Sequence, residues 1–181
     1  MLRNITIVLI FIILNVVLLQ SNKMNSIKRG AVPQPISAAT PDFTWQDLDG
    51  KTHNIKELAG HTVVLHFWAS WCSPCRREFP ELLKAAQSMG DNVIFLTLAG
   101  DDTKDPAWEF IQKAEKHAEV KNLKNVIYGL DLDKKIAWDT FQTAVYPETI
   151  ILDSKQAMHR KYVGEVAWGN PETTEYLKSL P

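Results

Sequence analysis

Cysteine is scarce in this chain: Cys72 and Cys75 are the only two among 181 residues. A framework of several disulfides is therefore excluded, and so is a structural zinc site built from two cysteine pairs, which needs four ligands. Arg76 follows the second cysteine, where haem attachment would require histidine. Histidine is sparse too: His53, His61, His66, His117 and His159 are scattered and show no metal-ligand spacing. Neither sign of charge dominates, since 20 Lys and Arg face 21 Asp and Glu for a net charge of −1. That balance gives no field suited to a nucleic acid, so DNA or RNA is not an expected partner. Internal repeats and low-complexity runs are lacking, and only one long, nearly unbroken apolar run occurs.

That run, residues 5–19 (ITIVLIFIILNVVLL), follows Arg3 and reads as a secretory signal core or a short signal anchor, with the targeting segment placed at residues 1–20. It is short against the roughly 20 residues of a spanning helix. No small-x-small cleavage site follows it, because Gln20, Ser21, Asn22 and Lys23 stand there. An uncleaved anchor is the preferred reading, with a cleaved signal as the alternative. Lys23, Lys28 and Arg29 beyond the run deprive the positive-inside count of any support for a cytoplasmic N-terminus. Residues 21–40 are polar and hold Gly30, Pro33 and Pro35, the composition of a flexible tether. Residues 41–181 have the size of one domain with its own core.

Within that domain, residues 62–69 (TVVLHFWA) read as a strand covered on both faces. The strand leads into Trp71-Cys72-Ser73-Pro74-Cys75. Pro74 suits the first turn of a helix, and Phe79, Leu82, Leu83 and Ala86 recur at helical spacing until Gly90. Pro80 inside this helix is expected to kink it or to break one of its hydrogen bonds. Further strands are expected at residues 92–98, 126–128, 149–152 and 159–163, and helices at about 105–119, 134–141 and 172–180. Strands alternating with helices and ending in a hairpin predict an α/β fold, a central mixed β-sheet flanked by helices.

A C-x-x-C pair beside a βαβ pattern points first to redox chemistry, in which a disulfide closes and reopens. An isolated metal site and an inert disulfide are the weaker readings; an inert bridge would close a very small loop, where stabilisation is least. At a helix N-terminus the thiol of Cys72 meets free N–H groups and the positive end of the helix dipole, which lower a cysteine pKa. Cys72 is thus the expected nucleophile, and Cys75, one turn on, the resolving thiol.

The chain resembles the TlpA/ResA/DsbE-like thiol-disulfide oxidoreductases of the thioredoxin superfamily. The resemblance rests on Pro41-Asp42-Phe43 with Asp47-Leu48-Asp49-Gly50-Lys51, on Phe67-Trp68-Ala69-Ser70-Trp71-Cys72-Ser73-Pro74-Cys75-Arg76 with Glu78 and Pro80, on Tyr146-Pro147-Glu148-Thr149, and on Gly164 with Trp168. It implies a thioredoxin-like fold with an N-terminal β-hairpin extension and no cofactor beyond the redox-active disulfide of Cys72 and Cys75. It also implies a domain tethered outside the cytoplasmic membrane, facing the periplasm or its equivalent. Implied partners are proteins with disulfides, apocytochrome c among them, and a membrane thiol reductase as electron donor. Glu78 matches an acidic residue near the family's active site and is the expected acid-base group; the plainer alternative is a surface carboxylate paired with Arg76 or Arg77.

Pro147 is the expected cis proline opposite the cysteines, and Tyr146 stands where threonine, valine or alanine is more usual in the family. Trp71 is expected to cover the disulfide and, with Tyr146 and Pro147, to meet substrate. Trp68 and Phe67 read as core; Trp45, Trp108, Trp138 and Trp168 read as packing residues or surface anchors; Arg76 and Arg77 read as a solvated helix face. His66 departs from the family, because thioredoxin has a buried aspartate there and many TlpA-like proteins have asparagine. It is either a proton carrier or, by slight preference, a neutral buried histidine held by one hydrogen bond. Protein-disulfide reduction is the leading activity, since Ser-Pro between the cysteines is nearer the Gly-Pro of thioredoxin than the Pro-His of strong oxidants. An oxidase or isomerase is the rival, and a copper metallochaperone using Cys72, Cys75 and His66 is a distant third. No separate T-x-x-C peroxidatic site is visible.

Overall fold

A computed structural model of the chain describes residues 30–180. The expected signal or anchor at residues 1–20, and residues 21–29 of the expected tether, lie outside the described residues. Eight strands form one mixed sheet: β1 (Pro33–Ala39), β2 (Thr44–Asp47), β3 (Thr52–Asn54), β4 (Thr62–Trp68), β5 (Val93–Ala99), β6 (Val126–Leu130), β7 (Glu148–Leu152) and β8 (Ala157–Val163). Their order is β1-β8-β7-β4-β5-β6-β2-β3. The pairs β4–β5 and β5–β6 are parallel, and all the others are antiparallel.

Among the described residues three α-helices, α1 (Ser73–Met89), α2 (Lys104–Ala118) and α3 (Pro171–Ser179), complete the frame. Strand β4 is buried along its whole length, as its unbroken apolar run requires when both faces of a sheet are covered. Its side chains alternate between two cores. Val64 and Trp68 pack under the helices with Phe79, Leu82, Leu83 and Phe95. Val63, Leu65 and Phe67 face the other way, among Phe43, Trp45, Leu96, Phe141 and Ile150. A 3-10 turn at Ile55–Leu58 and a π turn at Ile136–Thr140 cover this second face.

Two expectations need revision, the tether at residues 33–39 and the helix at 134–141, while the hairpin extension and the hydrogen bond lost at Pro80 are as expected. Pro33–Ala39 falls in the expected tether but forms an edge strand, antiparallel to β8 and offset by a bulge between Pro35 and Ala38. Proline is compatible with such a position because an edge strand can leave one side of its backbone unpaired. Residues 134–141 yield a π turn at Ile136–Thr140, seeded by Asp131, whose carboxylate accepts from the Ile136 and Ala137 N–H groups. Helix α1 runs unbroken through Pro80; the ring removes one N–H donor without ending the helix. The hairpin β2–β3 contains the Asp47-Leu48-Asp49-Gly50-Lys51 block, where the Asp47 side chain accepts from the N–H groups of Asp49 and Lys51, both at 2.9 Å. Short side-chain-anchored strands of this kind carry little periodicity of their own.

Candidate active site

The parallel strand β4 delivers the chain to the N-terminus of α1, and the cysteines sit on that junction. Cys72 is the N-cap residue, with extended backbone at φ −79° and ψ 109°, and Pro74 lies in the first turn. The two cysteines form a disulfide, with Cα atoms 5.3 Å apart. The Cys75 N–H donates to Cys72 Sγ at 3.3 Å, so the cap position of a helix here is filled by sulfur. Cys72 keeps 5% of its surface exposed, whereas Cys75 has none. An incoming sulfur therefore reaches Cys72 first.

Asp101, buried at the end of β5, holds the approach to this cap. Its carboxylate accepts from the Ser70 N–H at 3.0 Å and from the Ser70 hydroxyl at 2.5 Å. Trp71 follows and is the most exposed of the six tryptophans, at 63%. Its ring lies 5.9 Å from that of Tyr146, centroid to centroid, at 40°. Trp71 therefore presents an open aromatic face immediately before the pair in the chain. The peptide bond between Tyr146 and Pro147 is cis, as the family resemblance implies. The Pro147 carbonyl accepts from Gly164 N–H at 2.9 Å, which ties this loop to the end of β8. Pro74, Arg77, Glu78, Tyr146, Pro147 and Trp168 line one groove.

Glu78 is no surface carboxylate: only 5% of it is exposed. Arg77 pairs instead with Glu165, and Arg76 lies over the Phe110 ring at 5.9 Å. One carboxyl oxygen of Glu78, Oε2, accepts from the Val166 N–H at 2.6 Å. The other, Oε1, stands 3.4 Å from His66 Nε2, and neither atom has a partner of hydrogen-bond geometry. Burial pushes the Glu78 carboxyl up to about 8; the Val166 N–H opposes this, the charge of Glu165 adds to it, and Trp168 opposes it weakly. His66 is wholly buried, and burial alone lowers it to about 3, which keeps the ring neutral. Its Nδ1 meets the Thr149 hydroxyl at 2.9 Å, across the β4–β7 pair in which His66 and Thr149 are register partners. His66 is thus a buried histidine held by one hydrogen bond, and its second nitrogen is turned toward Glu78.

Trp68, Phe67, Trp45 and Trp168 are buried, while Trp108 and Trp138 are exposed. Among the described residues no three His, Cys, Asp or Glu side chains converge as a metal site. Sequence reasoning missed Thr149, Asp101, Val166 and Gly100 as parts of the site. The first three act only through strand register or long-range closure, signals absent from local sequence. Gly100 is needed because the Tyr146 hydroxyl occupies the space of any β-carbon there.

The family model of Redoxin matches residues 35–179. A thiol-disulfide oxidoreductase, ResA, of Bacillus cereus is 29% identical over 133 residues, covering 72% of this chain and 70% of the relative. A thiol:disulfide interchange protein, DsbE, of Allochromatium vinosum is 28% identical over 138 residues, covering 75% of this chain and 71% of the relative. Among solved structures, that of DsbF from MTB in its mixed oxidized and reduced forms superposes with a TM-score of 0.65 at 26% identity, covering 78% of this chain and 99% of that one.

Proposed function

The chain belongs to the Redoxin family, and from that premise we propose that it reduces protein disulfides, with Cys72 as nucleophile, Cys75 as resolving thiol and Glu78 as proton acceptor. It is a thiol-disulfide oxidoreductase of the ResA and DsbE type. The observation that carries the order of attack is the difference in access across the helix cap: Cys72 is slightly open and Cys75 is closed.

In the reduced protein the Cys72 thiolate attacks one sulfur of a substrate disulfide. A Cys72–substrate S–S bond forms, the substrate's own S–S bond breaks, and its second sulfur leaves as a thiolate that takes up a proton. Cys75 then gives its proton to the Glu78 carboxylate and attacks Cys72 Sγ. The Cys72–Cys75 bond closes, and the first substrate sulfur leaves as a second thiol. Two electrons have passed from the dithiol to the substrate. A carboxyl held near neutrality suits this proton transfer, because a general base works best with a pKa close to the operating pH.

The Ser73-Pro74 pair between the cysteines, nearer the Gly-Pro of a reductant, supports the direction of electron flow. The groove beside Pro147, with Tyr146 and Trp71 at its mouth, is where an extended substrate segment would lie. The apolar run at residues 5–19 supports tethering outside the cytoplasmic membrane. That compartment lacks the soluble cytosolic reductants, so a membrane thiol reductase is the electron source and apocytochrome c disulfides are a fitting substrate class. No helix among the described residues is long and apolar enough to cross a membrane.

Trapping tests the reading. Cys75→Ser in the native host accumulates mixed disulfides on Cys72, and their identification names the substrates; an absence of adducts overturns the assigned order. Equilibration with glutathione tests direction: a potential close to that of a strong oxidant such as DsbA, about −120 mV, rather than toward about −270 mV, overturns reduction.

A further inference from the structure

The unpaired polar atoms beneath the disulfide define one more participant. Among the described residues, the Thr149 hydroxyl has a single hydrogen-bond partner, His66 Nδ1 at 2.9 Å, and both residues are wholly buried. A hydroxyl carries one proton, and a buried O–H without an acceptor is destabilising. If Nδ1 carried the ring proton, the Thr149 hydroxyl would accept from it and its own proton would be left without a partner. The arrangement that satisfies both groups has Thr149 O–H donating to Nδ1. A neutral imidazole then holds its proton on Nε2. That nitrogen faces Glu78 Oε1 at 3.4 Å, and Oε1 is the carboxyl oxygen that lacks any partner.

We propose that Thr149 sets the tautomer of His66, and that His66 thereby acts as a neutral hydrogen-bond donor to Glu78, a positioning residue working through that carboxyl. When Glu78 is ionised, a slight approach of the two side chains turns the 3.4 Å gap into a charge-assisted hydrogen bond. When Glu78 is protonated, the contact relaxes. The ring stays uncharged in both states, so no second charge enters the core. The donor favours the carboxylate and so opposes burial, which keeps Glu78 within reach of the working pH rather than locked in its acid form.

Few other groups bear on the pair. From α1, Cys75 lies one turn before Glu78. From the loop after β8, Val166 N–H donates to Oε2, Trp168 packs edge-on against His66 at 6.4 Å and its indole N–H weakly favours the Glu78 carboxylate without strict hydrogen-bond geometry, and Glu165 adds negative charge while paired with Arg77. From β5, the uncharged Thr97 is the register partner of His66.

The proposal rests on the reading of Glu78 as proton acceptor, but its test is independent of thiol chemistry, because it uses the full-length oxidised protein. Nitrogen-15 NMR of the histidine rings reports which nitrogen carries the proton. His66 is expected to show a protonated Nε2 and a bare Nδ1 from pH 6 to pH 9. A protonated Nδ1, or an imidazolium, overturns the proposal. Carbon-13 NMR of the Glu78 carboxyl supplies the second measurement. In Thr149→Val, which keeps the shape but removes the hydroxyl, the Glu78 midpoint is expected to rise by about half to one pH unit, the equivalent of part of one hydrogen bond. Thr149→Ser is expected to restore it. Equal midpoints in the two variants overturn the role of the hydroxyl. Failure of Cys75→Ser to trap substrate would instead overturn the catalytic reading and leave these spectra unchanged.

Discussion

The hydroxyl of Tyr146 packs directly against the backbone of Gly100, in the space a β-carbon would occupy. The same Tyr146 ring leans on Trp71, the exposed residue immediately before the redox pair. One side chain thus couples the end of β5 to the aromatic face beside the disulfide.

Replacing Gly100 by alanine is expected to push Tyr146 aside and to destabilise the protein by about 1–3 kcal/mol, the usual penalty for overpacking. In a Tyr146→Thr background the same substitution is expected to be close to neutral, because the obstructing ring is gone. A double-mutant cycle by urea denaturation gives the coupling. Additive effects would show that Gly100 is retained for some other reason. Both variants should reduce a small disulfide such as 5,5′-dithiobis(2-nitrobenzoate) nearly as the parent does, while KM for a protein disulfide rises.

His66 and Glu78 impose opposite pH limits on stability. The Glu78 carboxyl lies at about 8 in the fold against 4.5 for an ordinary glutamate, so its contribution is complete below about 4.5 and is lost as pH rises through 8. His66 lies at about 3 against 6.5, so its contribution is complete above about 6.5 and is lost as pH falls through 3. The two offset one another between about 4.5 and 6.5, and above that window the glutamate acts alone. Oxidised wild-type protein is therefore expected to lose up to about 2 kcal/mol between pH 6.5 and 8 relative to Glu78→Gln. Urea denaturation of both proteins at the two pH values provides the comparison. Parallel pH profiles would mean that Glu78 ionises freely in the fold.

Glu148, directly after Pro147, is 2% exposed and meets Lys161 of β8 at 2.8 Å, while the Thr143 hydroxyl donates to the same carboxylate at 2.6 Å. Breaking such a pair leaves a buried charge uncompensated, which destabilises by about 3–5 kcal/mol when both partners are fully enclosed. Lys161 retains partial exposure, so Lys161→Met is expected to destabilise by about 2–3 kcal/mol. That corresponds to a thermal shift of roughly 4–12 °C for a chain of this size. Glu148→Gln combined with Lys161→Met should recover part of the loss, since the amide oxygen still accepts from Thr143. A double variant as unstable as the single one would point to the packing of the Lys161 stem instead.

These groupings separate what local sequence reveals from what it conceals. The run TVVLHFW followed by Pro74 announces a buried strand entering a helix, because burial on both faces and the rule for proline at helix starts act within a few residues. The cis bond at Pro147 is legible only through family resemblance; proline alone says little about it. Glu78 looks equally suited, in sequence, to a surface ion pair. Its burial depends on Val166 and Trp168, and the Val166 contact spans 88 positions. Strand β1 is hidden for a related reason: two prolines and a mostly exposed surface leave no alternation to read, and only pairing with β8 makes it a strand.

Asp101 carries a similar hidden role one step from the chemistry. Its carboxylate, an acceptor only, receives both donors of Ser70, and Ser70 leads directly into Trp71 and Cys72. Asparagine at position 101 would keep one acceptor oxygen but turn an NH2 group toward a Ser70 donor. One of the two hydrogen bonds is then lost and a donor is left buried, a penalty of about 1–3 kcal/mol. Because the loop before the helix cap bears most of that loss, native-state exchange of the Ser70 amide should accelerate by at least about tenfold in Asp101→Asn, whereas amides in the centre of β4 should slow or quicken only with global stability. Uniform acceleration across β4 and the loop would assign Asp101 to general stability. Acceleration confined to Ser70 and the cap would show that this carboxylate holds Cys72 in place for attack.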